Sequence, residues 1–259
     1  MKSSTFSLTL FSILATLIIA SSCKKNKPEP EPAKSNVNLN SGLILYFPFS
    51  GNIADSSGNN NSVQATGGTI LTNDEHGNAS SAFDASQGRL IVSNNGTIKF
   101  DTAFTLCFNF KLNQLAYNGY LSMVDNVTGH GPTFLLGTNL QGTNAFSFSV
   151  QGQTALCDNF GNFTSSNNDT SQFIPQAGTW YNMICIYHRG DIQIYMNGNL
   201  ISTHAYPGTS ALLCPTSKFV IGGWWNSDPL TMNGTIDEIR MYDRVLNSEE
   251  INQLYKNFQ

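Results

Sequence analysis

From Gly42 to Met241 the chain repeats one pattern: a short apolar run, then a cluster of Gly, Asn, Ser or Asp. Runs this short are too brief for ordinary helices, and the clusters supply the residues that tight turns need. The pattern predicts an all-β sandwich or barrel. Its clearest runs are Phe104-Thr-Leu-Cys-Phe-Asn-Phe, Tyr181-Asn-Met-Ile-Cys-Ile-Tyr and Ile192-Gln-Ile-Tyr-Met. In the last of these, Ile192, Ile194 and Met196 alternate with Gln193 and Tyr195, which places the first set on the buried face. Asn197-Gly198 follows, two residues that tolerate positive φ, and predicts a hairpin returning into Leu200-Ile201. No repeat of 20 to 50 residues suggests a propeller or solenoid. One helix is expected, at the C-terminus. Asn247 can cap it, Glu250 completes a capping box, and Ile251, Leu254, Tyr255 and Phe258 form an apolar face, with both aromatics read as core. With 12% charged residues and a net charge of −4, the 259-residue chain is neither disordered, nor a coiled coil, nor a basic nucleic-acid binder.

The first 22 residues read as an export signal, with Lys2 ahead of the apolar stretch from Phe6 to Ala20. Ala20-Ser21-Ser22-Cys23 resembles a bacterial lipobox, which implies that Cys23 is lipidated and becomes the N-terminus. Residues 23–39, rich in Lys, Pro and Glu, read as an extended tether, and 40–259 as the folded domain. Lys24 is not the Asp that retains similar lipoproteins at the inner membrane, so the expected location is the outer membrane, on either its periplasmic or its surface face. From Asn36 onward 15 acidic residues oppose 8 basic ones, a net −7 that argues against nucleic acid as a partner. Export permits disulfides. Cys157 and Cys214 stand beside turn residues and are the expected pair. Cys107 and Cys185 lie inside apolar strands and can equally be free buried thiols.

Several blocks carry a family resemblance: Leu45-Tyr-Phe-Pro-Phe-Ser-Gly-Asn, Asp55-Ser-Ser-Gly-Asn, Ala82-Phe-Asp, Gly178-Thr-Trp-Tyr-Asn-Met, Ile194-Tyr-Met-Asn-Gly and Asn233-Gly-Thr-Ile-Asp-Glu-Ile-Arg-Met-Tyr-Asp-Arg-Val-Leu. In this order they resemble the laminin-G-like, concanavalin A-like jelly-roll domains. The resemblance implies two antiparallel sheets of six or seven strands with adjacent terminal segments. The superfold hosts lectins, adhesins, spacers and glycosidases, so it does not choose among them. It also implies a structural Ca²⁺ held by Asp55 and Asp237, with Asn52 and Asn60 as further loop ligands. The alternative makes Asp55 the acceptor of an Asx-turn and Asp237 a cap on backbone amides.

A glycosidase on this fold would need two carboxyl groups flanking one bond. None of the six Glu residues forms the Glu-x-Asp-x-x-Glu pattern of glucanases of the fold, and Asp237 and Glu238, as strand neighbours, are expected on opposite faces. The four His residues offer no triad, so no enzymatic activity is expected. Glycan binding requires an exposed aromatic face with amides or carboxylates beside it, a composition met by Trp224, Trp225, Asn226 and Asp228. Rim packing of Trp225 against a neighbouring loop is the alternative. Phe160, Asn162 and Phe163 are a second candidate loop. Arg189-Gly190-Asp191 sits where a tight turn is expected, and turn geometry alone accounts for its Gly. The expectation is a non-catalytic carbohydrate-binding or adhesion domain of an envelope lipoprotein. An assembly subunit that contacts another envelope protein is the second reading, and a glycoside hydrolase the third.

Overall fold

Alternating apolar positions pair across two sheets whose inner faces meet. The computed structural model describes residues 37–94, 96–99, 102–116, 118–124, 133–138, 144–150, 168–170, 173–189, 191–205, 216–224 and 232–259. The expected signal, Cys23, the Cys157–Cys214 pair, residues 158–167 of the second candidate loop, Trp225, Asn226 and Asp228 lie outside the described residues. Residues 36–259 form one compact unit.

The strands in chain order are β1 (Leu43–Phe47), β2 (Val63–Gly67), β3 (Leu71–Thr72), β4 (Ala82–Asp84), β5 (Gly88–Ser93), β6 (Ala103–Leu112), β7 (Asn118–Val124), β8 (Phe134–Thr138), β9 (Phe146–Val150), β10 (Asn168–Thr170), β11 (Trp180–His188), β12 (Asp191–Met196), β13 (Asn199–Ala205), β14 (Lys218–Ile221) and β15 (Gly234–Tyr242). The larger sheet runs β13-β12-β11-β6-β15-β4-β3, with β1 also on β15; the smaller runs β10-β9-β8-β7-β14-β5-β2. All pairings are antiparallel, as in a jelly-roll sandwich. Among the described residues the sheets hold eight and seven strands, one more in the first than expected. The extra place arises because β15 is long enough to pair β4 through Thr235 and Ile236 and β1 through Ile239 to Tyr242. That same pairing brings the ends of the domain together.

Phe104, Leu106, Phe108 and Phe110 of β6 and Tyr181, Met183, Cys185 and Tyr187 of β11 point between the sheets. The alternate residues Cys107, Ile184 and Ile186 form a second cluster on the outer face of the larger sheet. Cys107 and Cys185 are both buried. Their positions one residue out of register on paired strands send them to opposite faces. The Asn197-Gly198 turn has positive φ at both residues, as its sequence demands.

The helix α1 (Ser248–Phe258) closes the second cluster with Ile251 and Leu254. Tyr255 and Phe258, expected in the core, are only half-buried and stack on each other at 6.1 Å. The helix lies flat on a sheet face, so only one narrow stripe of it is covered. The capping box is present: Asn247 Oδ1 accepts the Glu249 and Glu250 amides, and the Glu250 carboxylate accepts the Asn247 amide at 2.9 Å. Arg244 grips the same carboxylate with two hydrogen bonds of 2.7 and 2.8 Å and donates through Nε to the Ser41 carbonyl. The hydrogen bonds from Arg244 outweigh burial and hold the Glu250 carboxyl below its usual range. A carboxyl depressed in the folded state stabilises above its unfolded pKa, and that contribution disappears as pH falls through the folded value. Glu250→Gln should therefore cost about 2 kcal/mol in urea unfolding at neutral pH. The gap from wild type should narrow in acid; a pH-independent gap would refute the ionic contribution.

Candidate functional site

A polar row crosses the outer face of the larger sheet. Asn109 on β6 faces Asp237 on β15 and Asn182 on β11, so three polar residues line up across three neighbouring strands. Asn182 Nδ2 donates to Asn109 Oδ1 at 2.8 Å, and Asn109 Nδ2 donates to Glu75 Oε1 at 2.7 Å. Glu75 arrives from the loop between β3 and β4. Asp74 shapes that loop by accepting the His76 and Asn78 amides and Asn78 Nδ2 at 2.8 to 2.9 Å. With its own carboxylate spent on the turn, Asp74 leaves Glu75 as the residue delivered to the row.

Asp237 and Glu238 do not take opposite faces. The ladder shifts register between Asp237 and Arg240, and Glu238 has φ +51°, so both side chains border one cavity. A bulge of this kind bends the strand and re-aims its side chains, and a non-glycine residue in the left-handed region is a local strain that the surrounding sheet must hold. The spacing of the buried residues Ile236, Ile239 and Met241 carries the signal, because strict alternation would have continued at 238. Glu238 is taken up by Arg240 at 2.7 Å and by the Tyr46 hydroxyl at 3.0 and 3.2 Å, and the Arg240 guanidinium lies 4.1 Å from the centre of the Tyr46 ring.

The cavity has a volume of about 340 Å³, and Leu254, Asn257 and Phe258 of α1 form one of its walls. Its floor is short of donors. Glu75 Oε2, Asp237 Oδ1 and Asn182 Oδ1 are buried and have no hydrogen-bond partner among the described residues. Burial, reinforced by the charges of Glu75, Glu238 and Asp74, pushes the Asp237 carboxyl up to about 9 against one opposing backbone hydrogen bond. Burial likewise raises Glu75, with Asp74 and Glu238 adding to it and His76 opposing. Neighbouring carboxylates without a compensating cation behave in this way.

The residues expected to hold calcium are not gathered in one place. Asn52, Asp55 and Asn60 border a separate cleft, and Asp237 borders the cavity just described. Asp55 accepts hydrogen bonds from the Tyr46, Ser57 and Asn61 amides, from Ser57 Oγ and from Asn61 Nδ2, at 2.7 to 3.1 Å. Its lone pairs are filled by the chain, which is the Asx-turn role. Asn52 likewise turns back on Ala54 and Ser50. Among the described residues no three His, Cys, Asp or Glu side chains come together in a way that could hold a metal ion. These residues do not fit the expected calcium set. Trp224 is partly buried against Val124, Leu135 and Val220, on a different sheet from the polar row. A Cβ on Gly119 would overlap its indole, so that glycine makes the room for the ring.

Glu75, Asn109 and Asn182 were not singled out by the sequence. A single Asn inside Phe108-Asn-Phe110 or Tyr181-Asn-Met183 is the available signal, since a polar side chain buried in a strand must find a partner. That the two meet is a matter of register, which neither segment encodes alone.

Similar proteins agree with this architecture. Residues 84–252 match the family model described as the concanavalin A-like lectin/glucanases superfamily, a laminin G family. No curated protein matches the chain. Among solved structures, the binding domain of botulinum neurotoxin DC, in complex with rat synaptotagmin II, superposes with a TM-score of 0.63 at 18% identity, over 86% of this chain and 53% of that one. A botulinum neurotoxin type C structure, from work on cell entry through two ganglioside molecules, gives 0.62 at 20% identity, over 86% and 52%. Domain 4 of an extracellular GH43 arabinanase from Geobacillus stearothermophilus, in complex with arabinotriose, gives 0.62 at 17% identity, over 83% and 98%. The chain thus spans about half the length of the neurotoxin chains it matches. At these identities the likeness is one of fold. The family match covers more than half of the chain and coincides with its two-sheet sandwich: this protein belongs to the concanavalin A-like lectin/glucanase superfamily.

Proposed function

We propose that this chain is a non-catalytic carbohydrate-binding protein of the cell envelope, tethered through a lipid on Cys23 to the outer membrane. The observation that carries the binding reading is the cavity over the polar row. Its volume falls within the range of small-molecule sites, about 300 to 1,000 Å³, and it presents amides, carboxyl groups and one phenol, the groups that hold sugar hydroxyls. The fold neighbours solved with arabinotriose or studied for gangliosides lend support as relatives of the same architecture.

Catalysis is disfavoured by the chemistry of the same groups. A glycosidase sets two carboxyls apart, one held protonated as acid and one ionised as base or nucleophile. Here burial drives Glu75 and Asp237 in the same direction, upward, and Glu238 is committed to Arg240 and Tyr46.

The test is a glycan array probed with the full chain, in calcium and again in chelator. Binding to a defined set of sugars is expected, weakened at least tenfold by Asn182→Ala, which removes one wall of the row. An array blank in both conditions would refute the carbohydrate reading and favour the assembly subunit, to be sought by cross-linking to envelope proteins.

A further inference from the structure

Unpartnered oxygens gather around the cavity and specify what a ligand must bring to it. Four carboxylates border the cavity: Asp74, Glu75, Asp237 and Glu238. Asp74 is occupied by its own loop and Glu238 by Arg240 and Tyr46. Glu75 and Asp237 remain; His76 Nε2 lies 3.9 Å from Glu75 Oε1, and Arg240, which borders the same cavity, is taken up by Glu238. Each leaves one buried oxygen unpartnered. Asn182, 4% exposed and not an acid, adds a third unpartnered oxygen on the same wall. Buried acceptors without donors are rare in native proteins, and several around one cavity call for a ligand that brings donors.

From this juxtaposition of Glu75, Asp237 and Asn182 around one cavity, we infer that the site takes a primary ammonium, and that the carbohydrate it binds is an amino sugar with a free amino group. The identity of the sugar rests on the carbohydrate reading above; the positive charge rests on the floor, where a bound cation would draw the raised Glu75 and Asp237 carboxyls back to their ionised form. An ammonium carries three N–H donors and no acceptor, one donor for each orphaned oxygen. Its hydrogen bonds to carboxylate span about 2.7 to 2.9 Å, whereas Ca²⁺ draws six to eight oxygens to about 2.3 to 2.6 Å. Among the described residues no such close set of acidic, His or Cys ligands exists, and the cavity has room for a ring beyond the charged group. A hexosamine would place its ammonium on the floor and its hydroxyls toward Asn78 and the Tyr46 phenol, both of which border the cavity. N-acetylation would remove the charge and two of the three donors and leave the floor unpaired.

The experiment is calorimetric titration of the full chain with glucosamine oligosaccharides, their fully N-acetylated counterparts and calcium alone. The free-amine sugars should bind, with the acetylated ones at least tenfold weaker. Asp237→Asn and Glu75→Gln, each preserving shape and checked for folding by circular dichroism, should each weaken the amine form by about tenfold to a hundredfold. Equal binding of both sugar forms, or binding unchanged in the two variants, would overturn the inference while leaving the carbohydrate reading intact. Heat from calcium with none from the amine would also overturn it, in favour of a metal. If neither these sugars nor any on the array bind, the inference falls together with the carbohydrate reading.

Discussion

Replacing Phe110 with Ala should destabilise the domain by about 4 kcal/mol, the cost of deleting a buried ring and leaving the cavity it filled. The ring is fully buried between the sheets. Its centre lies 4.8 Å from that of Tyr120, 5.5 Å from Tyr181, 5.9 Å from Phe108 and 6.4 Å from Phe146, so one residue of β6 touches aromatics of β7, β9 and β11. Such contacts join the two sheets, and no single neighbour can move in to refill the space. Phe110→Leu keeps most of the volume and should cost under about half as much. Urea unfolding followed by tyrosine fluorescence measures both. A loss below about 2 kcal/mol for the Ala variant would mean that the sheets collapse onto the gap more freely than this packing allows.

Asp55→Ala should cost about 3 kcal/mol, although Asp55 lies in a surface loop where substitutions are usually mild. Its carboxylate gathers three backbone amides and two side-chain donors, one of the amides belonging to Tyr46 of β1. Removing it strands these donors and frees the loop from the strand. Burial acts to raise this carboxyl, but the amide hydrogen bonds outweigh it and hold the group below its usual 3.8. The sign of the pH effect follows. The stabilisation is complete above the unfolded value near 3.8 and fades as pH drops through the lower folded value, so wild type and variant should converge only in strong acid. The measured difference should be the same in calcium and in chelator, because the acceptors are filled by the chain. A difference that vanished in chelator would return Asp55 to the role of a metal ligand.

Asp55 drew attention as a ligand because its loop is rich in oxygen donors, yet the same richness in Asn, Ser and Gly supplies the N–H groups that satisfy it. Local composition cannot distinguish a carboxylate waiting for a cation from one already bonded to its own turn. Asp237 was singled out through the family resemblance, but its partners Glu75, Asn109 and Asn182 come from three separate stretches of chain. Trp224 was legible as a Trp near a strand end, and its packing on Gly119 was not.

Features that depend on neighbours along the chain are legible in the residues alone. The period of two fixes which residues of β6 and β11 enter the core, Asn197-Gly198 fixes the hairpin, and Asn247 with Glu250 fixes the start of α1, because each is a matter of local backbone preference or of donors a few residues away. The site is a product of long-range pairing. The register of β6 between β11 and β15 aligned Asn182, Asn109 and Asp237. The bulge at Glu238 turned two successive carboxylates onto one face, and the Asp74 loop carried Glu75 to meet them. Charges accumulate there because carboxylates as far apart in sequence as Asp74 and Glu238 share one cavity, and electrostatic energy depends on distance in space rather than along the chain.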